Sequence, residues 1–402
     1  MALSSMSAWI PDPASRQPLT VHTFTQDILP PILFYYLTGL LVLIPRTYPI
    51  RLALLPITLY TTFKASTQID LAKGYAEEPS LVYMNQGLLL AMITLGIRAT
   101  IWTFQLEPYK RAKSNGLILD SFDLFFSLRG IGWSWSTGLK VTKDSRNTAH
   151  PPSFILSSLL SLLFHYHLFD FLLFSVQSFG DLSNPLGASI FDPALPAPLR
   201  YLRSSFICFL AGLAVYHAIQ LLYYTATLIG LVLLRQSPDQ WPPLFDAPWF
   251  TTSLNLFWSL RWHQLFRHNF IAFGGYPGYI LFGRLGGVAG AFLVSGLLHY
   301  WGLWGMGRGT DFYGAAGFFL MMGVGTVLEF AFKSVTGRKV RGFWGWMWSM
   351  LWVLGWGNIL VEAWLVRGLA ASKFQPQHTR PSLMVAELVK HNLRAWGYNT
   401  TI

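Results

Sequence analysis

The run Gly290-Ala-Phe-Leu-Val-Ser-Gly-Leu-Leu-His-Tyr300 is an apolar stretch that carries one imidazole, that of His299. A segment this apolar is typical of a helix that enters a bilayer, where an imidazole is costly unless it faces a cavity or a partner. A second histidine, His263, lies 36 residues upstream in a block rich in tryptophan and arginine. If the two side chains converge on one buried pocket, they suit proton transfer at membrane depth.

The composition of the whole chain is that of a membrane protein. Of its 402 residues, 52% are hydrophobic and 12% are charged, against about 25% charged in soluble domains. The sequence predicts an all-α, polytopic integral membrane protein of about eight transmembrane helices, organised as one membrane-embedded domain over residues 1–402. The apolar runs that are candidates to cross a bilayer lie near 28–45, 50–65, 81–103, 154–177, 203–234, 278–304, 312–332 and 344–366.

The net charge of +11 comes from loops between the predicted spans. Such basic loops mark the cytosolic side of a membrane protein and do not indicate nucleic-acid binding. The loop 104–150 and the turn 333–342 are rich in Lys and Arg, whereas the loop 66–80 is acidic. We therefore expect the first two in the cytosol, the third in the lumen, and both termini on the luminal side. The sequon Asn399-Thr-Thr is consistent with a luminal tail.

Between residues 236 and 278 the pattern changes from long apolar runs to prolines that alternate with tryptophans. Proline breaks helices, and indole prefers the boundary between water and lipid. Non-helical backbone at membrane depth survives only where protein or a water-filled cavity surrounds it. We therefore predict a re-entrant or interfacial segment that lines a chamber.

The remaining histidines and the single cysteine do not predict a metal or thiol site. His165, His167 and His217 fall in other predicted spans, and a zinc site needs at least three converging ligands. Cys208 is the only cysteine of the chain, and no motif surrounds it. The sequence therefore predicts no metal, no bound cofactor and no covalent acyl-enzyme on a thiol.

Two interpretations stay open for each of the main motifs. The imidazole of His299 could act as a general base on an alcohol, or it could be a structural side chain bonded to a backbone carbonyl. In the block Phe257-Trp258-Ser-Leu-Arg261-Trp262-His263, Arg261 needs an anionic partner, a cavity or the headgroup zone. A phosphate-bearing cosubstrate would supply that partner, and an amphipathic interfacial helix would also explain the pattern.

Taken together, the Phe257–His263 block and Ser295-Gly-Leu-Leu-His299-Tyr resemble the membrane-bound O-acyltransferase superfamily, in its wax synthase-like fungal branch. A third stretch, Arg129-Gly-Ile-Gly-Trp133-Ser-Trp135, is similar to a signature of that branch. The three motifs span a core of about residues 120–305. The resemblance implies a fold of the membrane-bound O-acyltransferase type.

The resemblance also implies an activity and roles for particular residues. We expect acyl-CoA-dependent transfer, with acetyl-CoA as the favoured cosubstrate, to a hydroxyl of a lipophilic terpenoid or meroterpenoid in the endoplasmic reticulum membrane. His299 would be the catalytic base, and His263 would help to organise the site. The predicted contacts to the acyl-CoA and the acceptor are Asn255, Trp258, Arg261, Trp262 and Ser295.

Three other functions are alternatives to the acetyltransferase. A long-chain wax ester or sterol acyltransferase differs from the favoured enzyme in the volume of its acyl tunnel, and the bulky Tyr300, Trp301 and Trp304 favour a short pocket. A transporter of a lipophilic metabolite predicts inverted repeats, which we do not find in the sequence. A membrane terpene cyclase would need a carboxylic acid, for which Glu329 and Glu362 are the span candidates.

Overall fold

The structure is a computed structural model that describes residues 10–136 and 138–396 and consists almost entirely of helices. It contains two compact units, Met1–Thr142 with Pro243–Ala363 (unit 1) and Lys143–Pro242 with Trp364–Ile402 (unit 2). The sequon at Asn399 lies outside the described residues.

Unit 1 contains the motifs that carry the family resemblance. Its longer helices are α1 (Leu29–Leu41), α2 (Tyr48–Gln68), α3 (Tyr83–Phe104), α4 (Leu117–Phe126), α7 (Tyr276–Gly305), α8 (Gly317–Thr336) and α9 (Gly342–Leu365), the last of which ends two residues past the unit. Two short strands, β1 (Gln17–Pro18) and β2 (Ile69–Asp70), pair in parallel with Gln17 opposite Ile69.

Unit 2 contains α5 (Pro151–Gln177), α6 (Ala197–Val232) and α10 (Pro381–Ala395). The buried carboxylate of Asp170 on α5 accepts from Arg380 Nε at 2.6 Å and from the Ser382 backbone N–H at 2.7 Å. A carboxylate that is buried with both a cation and a backbone donor is compensated for its desolvation. Asp170 therefore joins the first turn of α10 to α5.

The helical content predicted from composition is confirmed. Each predicted span corresponds to one of the helices α1, α2, α3, α5, α6, α7, α8 and α9. Within residues 10–136 and 138–396, five helices are long and apolar enough to cross a membrane. They are Glu78–Phe104, Pro151–Gln177, Ala197–Val232, Arg267–Gly305 and Phe312–Thr336.

The helical stretch Arg267–Gly305 is folded back on itself rather than straight. Its backbone leaves the helical region at Phe282 and at Gly283, which has φ 62° and ψ −151°, a conformation open to glycine and strained for other residues. A Cβ atom on Gly274 would lie 2.2 Å from the carbonyl oxygen of Gly290. The residues before and after Gly283 therefore form an antiparallel hairpin whose glycines let the two backbones touch.

The hairpin changes the boundary of the predicted span near 278–304. Its second arm, 284–305, is a helix of about 33 Å at 1.5 Å per residue, long enough to cross a bilayer. The first arm, 267–281, is about 22 Å long by the same rise and too short to do so. His299 therefore lies on the longer arm, in its last two turns.

The C-terminal end of α7 is fixed by an arginine from the N-terminal segment. Arg16 is 2% exposed, and its Nη1 donates to the Gly305 carbonyl oxygen at 2.6 Å. Its guanidinium also lies 4.5 Å from the ring of Trp304. A cation at a helix C-terminus satisfies carbonyls that have no partner within the helix. This contact holds the turn that follows His299.

Candidate active site

The first motif lies on a short helix that changes its winding. Ser253 caps the helix Leu254–Leu256 by accepting from the Leu256 backbone N–H at 3.0 Å, as small hydroxyl residues do at helix starts. The chain then continues as a π-helix over Phe257–Arg261. Short π-helical turns are frequent at functional sites because they redirect side chains. Here the turn carries Trp258 and ends just before His263.

Glu329 of α8 anchors the start of this short helix. Its Oε1 accepts from the Leu254 backbone N–H at 2.6 Å and from Trp348 Nε1 at 3.0 Å, and its Oε2 accepts from the Asn255 backbone N–H at 3.0 Å. All three partners are donors, an arrangement that favours the carboxylate form, which only accepts. Glu329 is thus a clamp that joins α8, α9 and the first motif.

We expect Glu329→Gln to reduce the acyl transfer predicted from the motif resemblance about tenfold and Glu329→Ala to reduce it further, because the amide can accept fewer of the three hydrogen bonds and the methyl none. Each buried donor left without a partner costs about 1–3 kcal/mol, so both variants should also unfold at a lower temperature. Glu387→Gln, at an exposed position on α10, is the control. Wild-type rate and melting temperature in Glu329→Ala would show that the clamp does not matter.

Arg261 braces a strained turn next to the motif. Its Nη1 donates to the carbonyl oxygens of Asp246 and Ala247 at 2.7 and 3.0 Å. Ala247 has φ 40°, in the left-handed region that costs a non-glycine residue about 1–2 kcal/mol. The Arg261 Nε atom is buried and has no acceptor among the described residues. One part of the guanidinium therefore holds the turn, while another keeps hydrogen-bonding capacity.

His263 is a neutral imidazole in an aromatic surround. Its ring centroid lies 5.6 Å from that of Trp262 and 5.7 Å from that of Phe245. Burial, with smaller contributions from the neighbouring His299 and from the positive charge of Arg129, lowers the pKa of His263 to about 3. Its Nδ1 is buried without a hydrogen-bond partner within residues 10–136 and 138–396. A buried polar atom in that state is uncommon and calls for a ligand or a functional reason.

His299 is held in one tautomer by its own helix. Its Nδ1 lies 2.8 Å from the Ser295 carbonyl oxygen. A carbonyl oxygen can only accept, so Nδ1 carries the hydrogen and Nε2 carries the lone pair of the neutral ring. The ring packs on Phe319 with centroids 4.3 Å apart. This arrangement orients a basic nitrogen, in the way that second partners orient catalytic histidines.

A series of aromatic rings connects the two motifs. Phe319 contacts His299 and also lies 6.1 Å from Trp258, centroid to centroid. Trp258 lies 6.3 Å from Trp262, which is adjacent to His263. The structure thus places His299, Trp258, Trp262 and His263 around one aromatic cluster in unit 1, as the convergence of the two motifs predicts.

The third motif, at residues 129–135, reaches the same region. Arg129 Nη1 donates to the Pro243 carbonyl oxygen at 2.9 Å, and Trp135 packs on His268 with ring centroids 4.6 Å apart. Gly130 has φ 68°, and a Cβ atom there would lie 2.6 Å from the Trp135 ring. The motif glycine is therefore required by a tight turn beneath the tryptophan. All three motifs lie in unit 1.

The other predicted contact residues occupy less central positions. Asn255 exposes its side chain and gives its backbone N–H to Glu329. Trp262 stacks on Phe257 with centroids 5.4 Å apart, and Ser295 contributes its carbonyl oxygen to His299. Glu329 was foreseen only as a candidate acid, and Phe319 was not foreseen, because no sequence motif surrounds either of them.

Two of the three histidines in the other predicted spans form a separate pair, while His167 Nδ1 lies 2.7 Å from the Leu163 carbonyl oxygen. In unit 2, His165 Nδ1 and His217 Nδ1 lie 2.7 Å apart, so they satisfy each other with one shared hydrogen. Across residues 10–136 and 138–396, no group of three or more His, Cys, Asp or Glu side chains is arranged to hold a metal ion.

The sequence of this chain matches a known protein family in the region of the candidate site. Residues 241–321 match the Membrane bound O-acyl transferase family. The matched segment contains His263, His299 and also Phe319, whose ring contacts both His299 and Trp258. The resemblance predicted from the motifs is confirmed by this match, which covers about a fifth of the chain.

Three similar proteins are all named acetyltransferases. The chain is 32% identical to the acetyltransferase aurG of Calcarisporium arbuscula, over 35% of this chain and 38% of aurG. It is 28% identical to the acetyltransferase spyB of Aspergillus fumigatus, over 37% of this chain and 29% of spyB. It is 26% identical to the acetyltransferase ple2 of Rhodocybe pseudopiperita, over 60% of this chain and 61% of ple2. The chain therefore spans less than two thirds of the length of each relative.

Proposed function

Because residues 241–321 match the membrane-bound O-acyltransferase family, we propose that the protein is an acyl-CoA-dependent membrane O-acyltransferase. The observation that carries the proposal is the tautomer of His299, whose Nδ1 is engaged by the Ser295 carbonyl at 2.8 Å. With Nδ1 protonated, Nε2 is the basic nitrogen of the ring, and we propose that it takes the alcohol proton. A general base positioned in this way contributes about 10² to 10⁴ in rate.

The proposed reaction needs no covalent intermediate. His299 Nε2 takes the hydroxyl proton of the acceptor while the acceptor oxygen bonds to the thioester carbonyl carbon. The carbon–sulfur bond of the resulting tetrahedral species then breaks, and the proton on His299 passes to the leaving thiolate to give CoA. His263, neutral at physiological pH because its pKa is about 3, orients the acceptor or polarises the thioester carbonyl through its buried Nδ1.

The acyl donor in this proposal is acetyl-CoA, and the acceptor is a hydroxylated terpenoid or meroterpenoid. Support comes from the relatives, since aurG, spyB and ple2 are named acetyltransferases, and from the aromatic rings around His299 and Trp258. Asn255, Trp262 and Ser295 are proposed contacts to the substrates, and Arg261 Nε is a proposed donor to the acyl-CoA. We propose no metal and no bound cofactor.

The contacts of Glu329 and His299 bear on the three alternative functions. A terpene cyclase needs a protonated carboxyl, and the three donors around Glu329 make that group a poor candidate. A long-chain wax ester or sterol acyltransferase would use the same His299 chemistry. Trp304, one of the three residues that favour a short pocket, packs on Arg16. The ring that contacts His299 is that of Phe319. A transporter would not require an oriented Nε2.

We also propose how the chain is arranged in the membrane of the endoplasmic reticulum. The helices α1, α2, α3, α5, α6, α8 and α9 and the longer arm of α7 make eight crossings within one acyltransferase domain over 1–402, with a core of about 120–305. The segment 236–278 is re-entrant, which agrees with its short helices and with the hairpin arm 267–281 that is too short to span. The loop 104–150 faces the cytosol, where acyl-CoA is supplied.

We expect a cysteine at Lys113 to react with a membrane-impermeant maleimide in sealed microsomes, and a cysteine at Glu77 to react only after permeabilisation. Both positions are exposed, and the buried Cys208 is replaced by serine to give a clean background. The Lys/Arg excess of the loop 104–150 is the physical reason. Labelling at Glu77 but not at Lys113 before permeabilisation would invert the proposed topology.

The donor and the acceptor class can be tested together. Membranes containing the protein are given acetyl-CoA or palmitoyl-CoA with a panel of hydroxylated terpenoids, sterols and fatty alcohols, and ester products are measured by mass spectrometry. The proposal expects acetyl esters of terpenoid acceptors in the wild type and none in membranes without the protein. Long-chain esters alone would favour the wax ester or sterol alternative, and no ester with any pair would contradict the proposed function.

A further inference from the structure

The indole N–H of Trp258 is a buried hydrogen-bond donor, and among the described residues it has no acceptor. An indole nitrogen can only donate and usually finds a partner when buried. Other tryptophans of unit 1 do so: Trp348 donates to Glu329, and Trp352 donates to the Met321 carbonyl oxygen at 2.9 Å. Trp135 Nε1 also lacks a partner, but its ring packs on His268, away from the rings around His299.

The position of this indole is fixed by three separate contacts. The helix start is clamped by Glu329, and the Trp258 carbonyl oxygen accepts from Gln264 Nε2 at 3.0 Å. The ring itself packs among Phe292, Phe318 and Phe319, with centroids 5.8, 6.4 and 6.1 Å away. Its N–H direction is therefore set before any ligand arrives. A donor held in this way costs no reorganisation during a reaction.

The same Phe319 that packs on Trp258 also lies against His299, so the fixed donor and the proposed base belong to one site. Acyl transfer develops negative charge on the thioester carbonyl oxygen as the acceptor oxygen bonds to the carbonyl carbon. We infer that the Trp258 indole N–H donates a hydrogen bond to that oxygen in the tetrahedral species. The bond weakens again when the carbon–sulfur bond breaks and the thiolate leaves with the proton from His299. This inference rests on the proposed function.

The test is Trp258→Phe, which removes the N–H and keeps an aromatic ring. Removing one such donor costs on the order of 10²-fold in kcat, so we expect a loss of that size with KM values for acetyl-CoA and the acceptor within about threefold of wild type. Binding of a thioether analogue of acetyl-CoA, which lacks the thioester carbonyl oxygen, should be unchanged. A kcat within about threefold of wild type would overturn the inference.

A control variant separates the hydrogen bond from the general effect of replacing a tryptophan by phenylalanine. Trp352→Phe makes the same change at an indole whose N–H already has a protein acceptor, and it should keep more than about a third of the wild-type kcat. If Trp352→Phe lost as much kcat as Trp258→Phe, a packing effect would explain the result and the inference would fail. If the wild type transferred no acyl group, the proposed function and the inference would both fail, whereas an active wild type with an equally active Trp258→Phe refutes the inference alone.

Discussion

His299→Ala is expected to lower acyl transfer at least 100-fold while the protein still inserts into membranes. The variant removes the nitrogen that takes the acceptor proton, and a general base is worth about 10² to 10⁴ in rate, or roughly 3–5 kcal/mol of barrier. The Ser295 carbonyl that loses its partner stays satisfied by its helix, so packing should change little. CoA release and ester formation in membranes, normalised to protein content, measure the effect.

His299→Gln provides a second measure of the same role. Its amide N–H can still donate to the Ser295 carbonyl, but the amide is not a base at neutral pH. It should therefore be as inactive as His299→Ala and at least as stable. Retention of more than about a tenth of the wild-type rate in either variant would refute the assignment of His299 as the base.

His263→Ala is expected to cost about 100-fold in kcat, while His263→Asn should cost about tenfold or less. The buried Nδ1 of His263 has no partner in the described part of the chain, and an asparagine amide can still offer a donor there. Loss of one donor to a developing charge is worth 10² to 10³ in rate. Steady-state rates of both variants with acetyl-CoA measure the difference, and equal rates would count against a hydrogen-bonding role.

The pH dependence of these variants gives an independent check. With a pKa of about 3, His263 stays neutral in the folded protein at any pH above about 4. Any loss of activity between pH 7 and pH 5 must then come from another group, so the wild type and His263→Asn should share the same acid limb. A limb that disappears in His263→Asn would show that His263 titrates in that range.

The helices were the most predictable part of the fold. Apolar runs report helix positions directly, and each predicted span has a helix in the structure. The turn at Gly283 was not predictable as a chain reversal, because the apolar pattern continues on both sides of it and the break depends on a single glycine with φ 62°.

Some features of the candidate site could be predicted from the sequence and others could not. His263, Trp258 and His299 could be proposed from the sequence because their motifs are local in it, and the structure places all three around one aromatic cluster. The clamp by Glu329 was not predicted, because its partners are backbone N–H groups 74 and 75 residues away. A sequence does not show which backbone donors a distant side chain will contact. Phe319 was missed because one phenylalanine among many apolar residues carries no signal. The tautomer of His299 also depends on geometry, through the Ser295 carbonyl.

In the proposed mechanism the acyl group passes directly from acyl-CoA to an alcohol that His299 deprotonates. The most direct measurement uses the purified protein with carbon-labelled acetyl-CoA, first without and then with a hydroxylated terpenoid that membranes containing the protein acetylate. We expect no label on the protein and no rapid CoA release before the acceptor is added, followed by CoA and labelled ester in equal amounts, with neither formed by His299→Ala. Label bound covalently to the protein, or rapid CoA release without an acceptor, would contradict this mechanism.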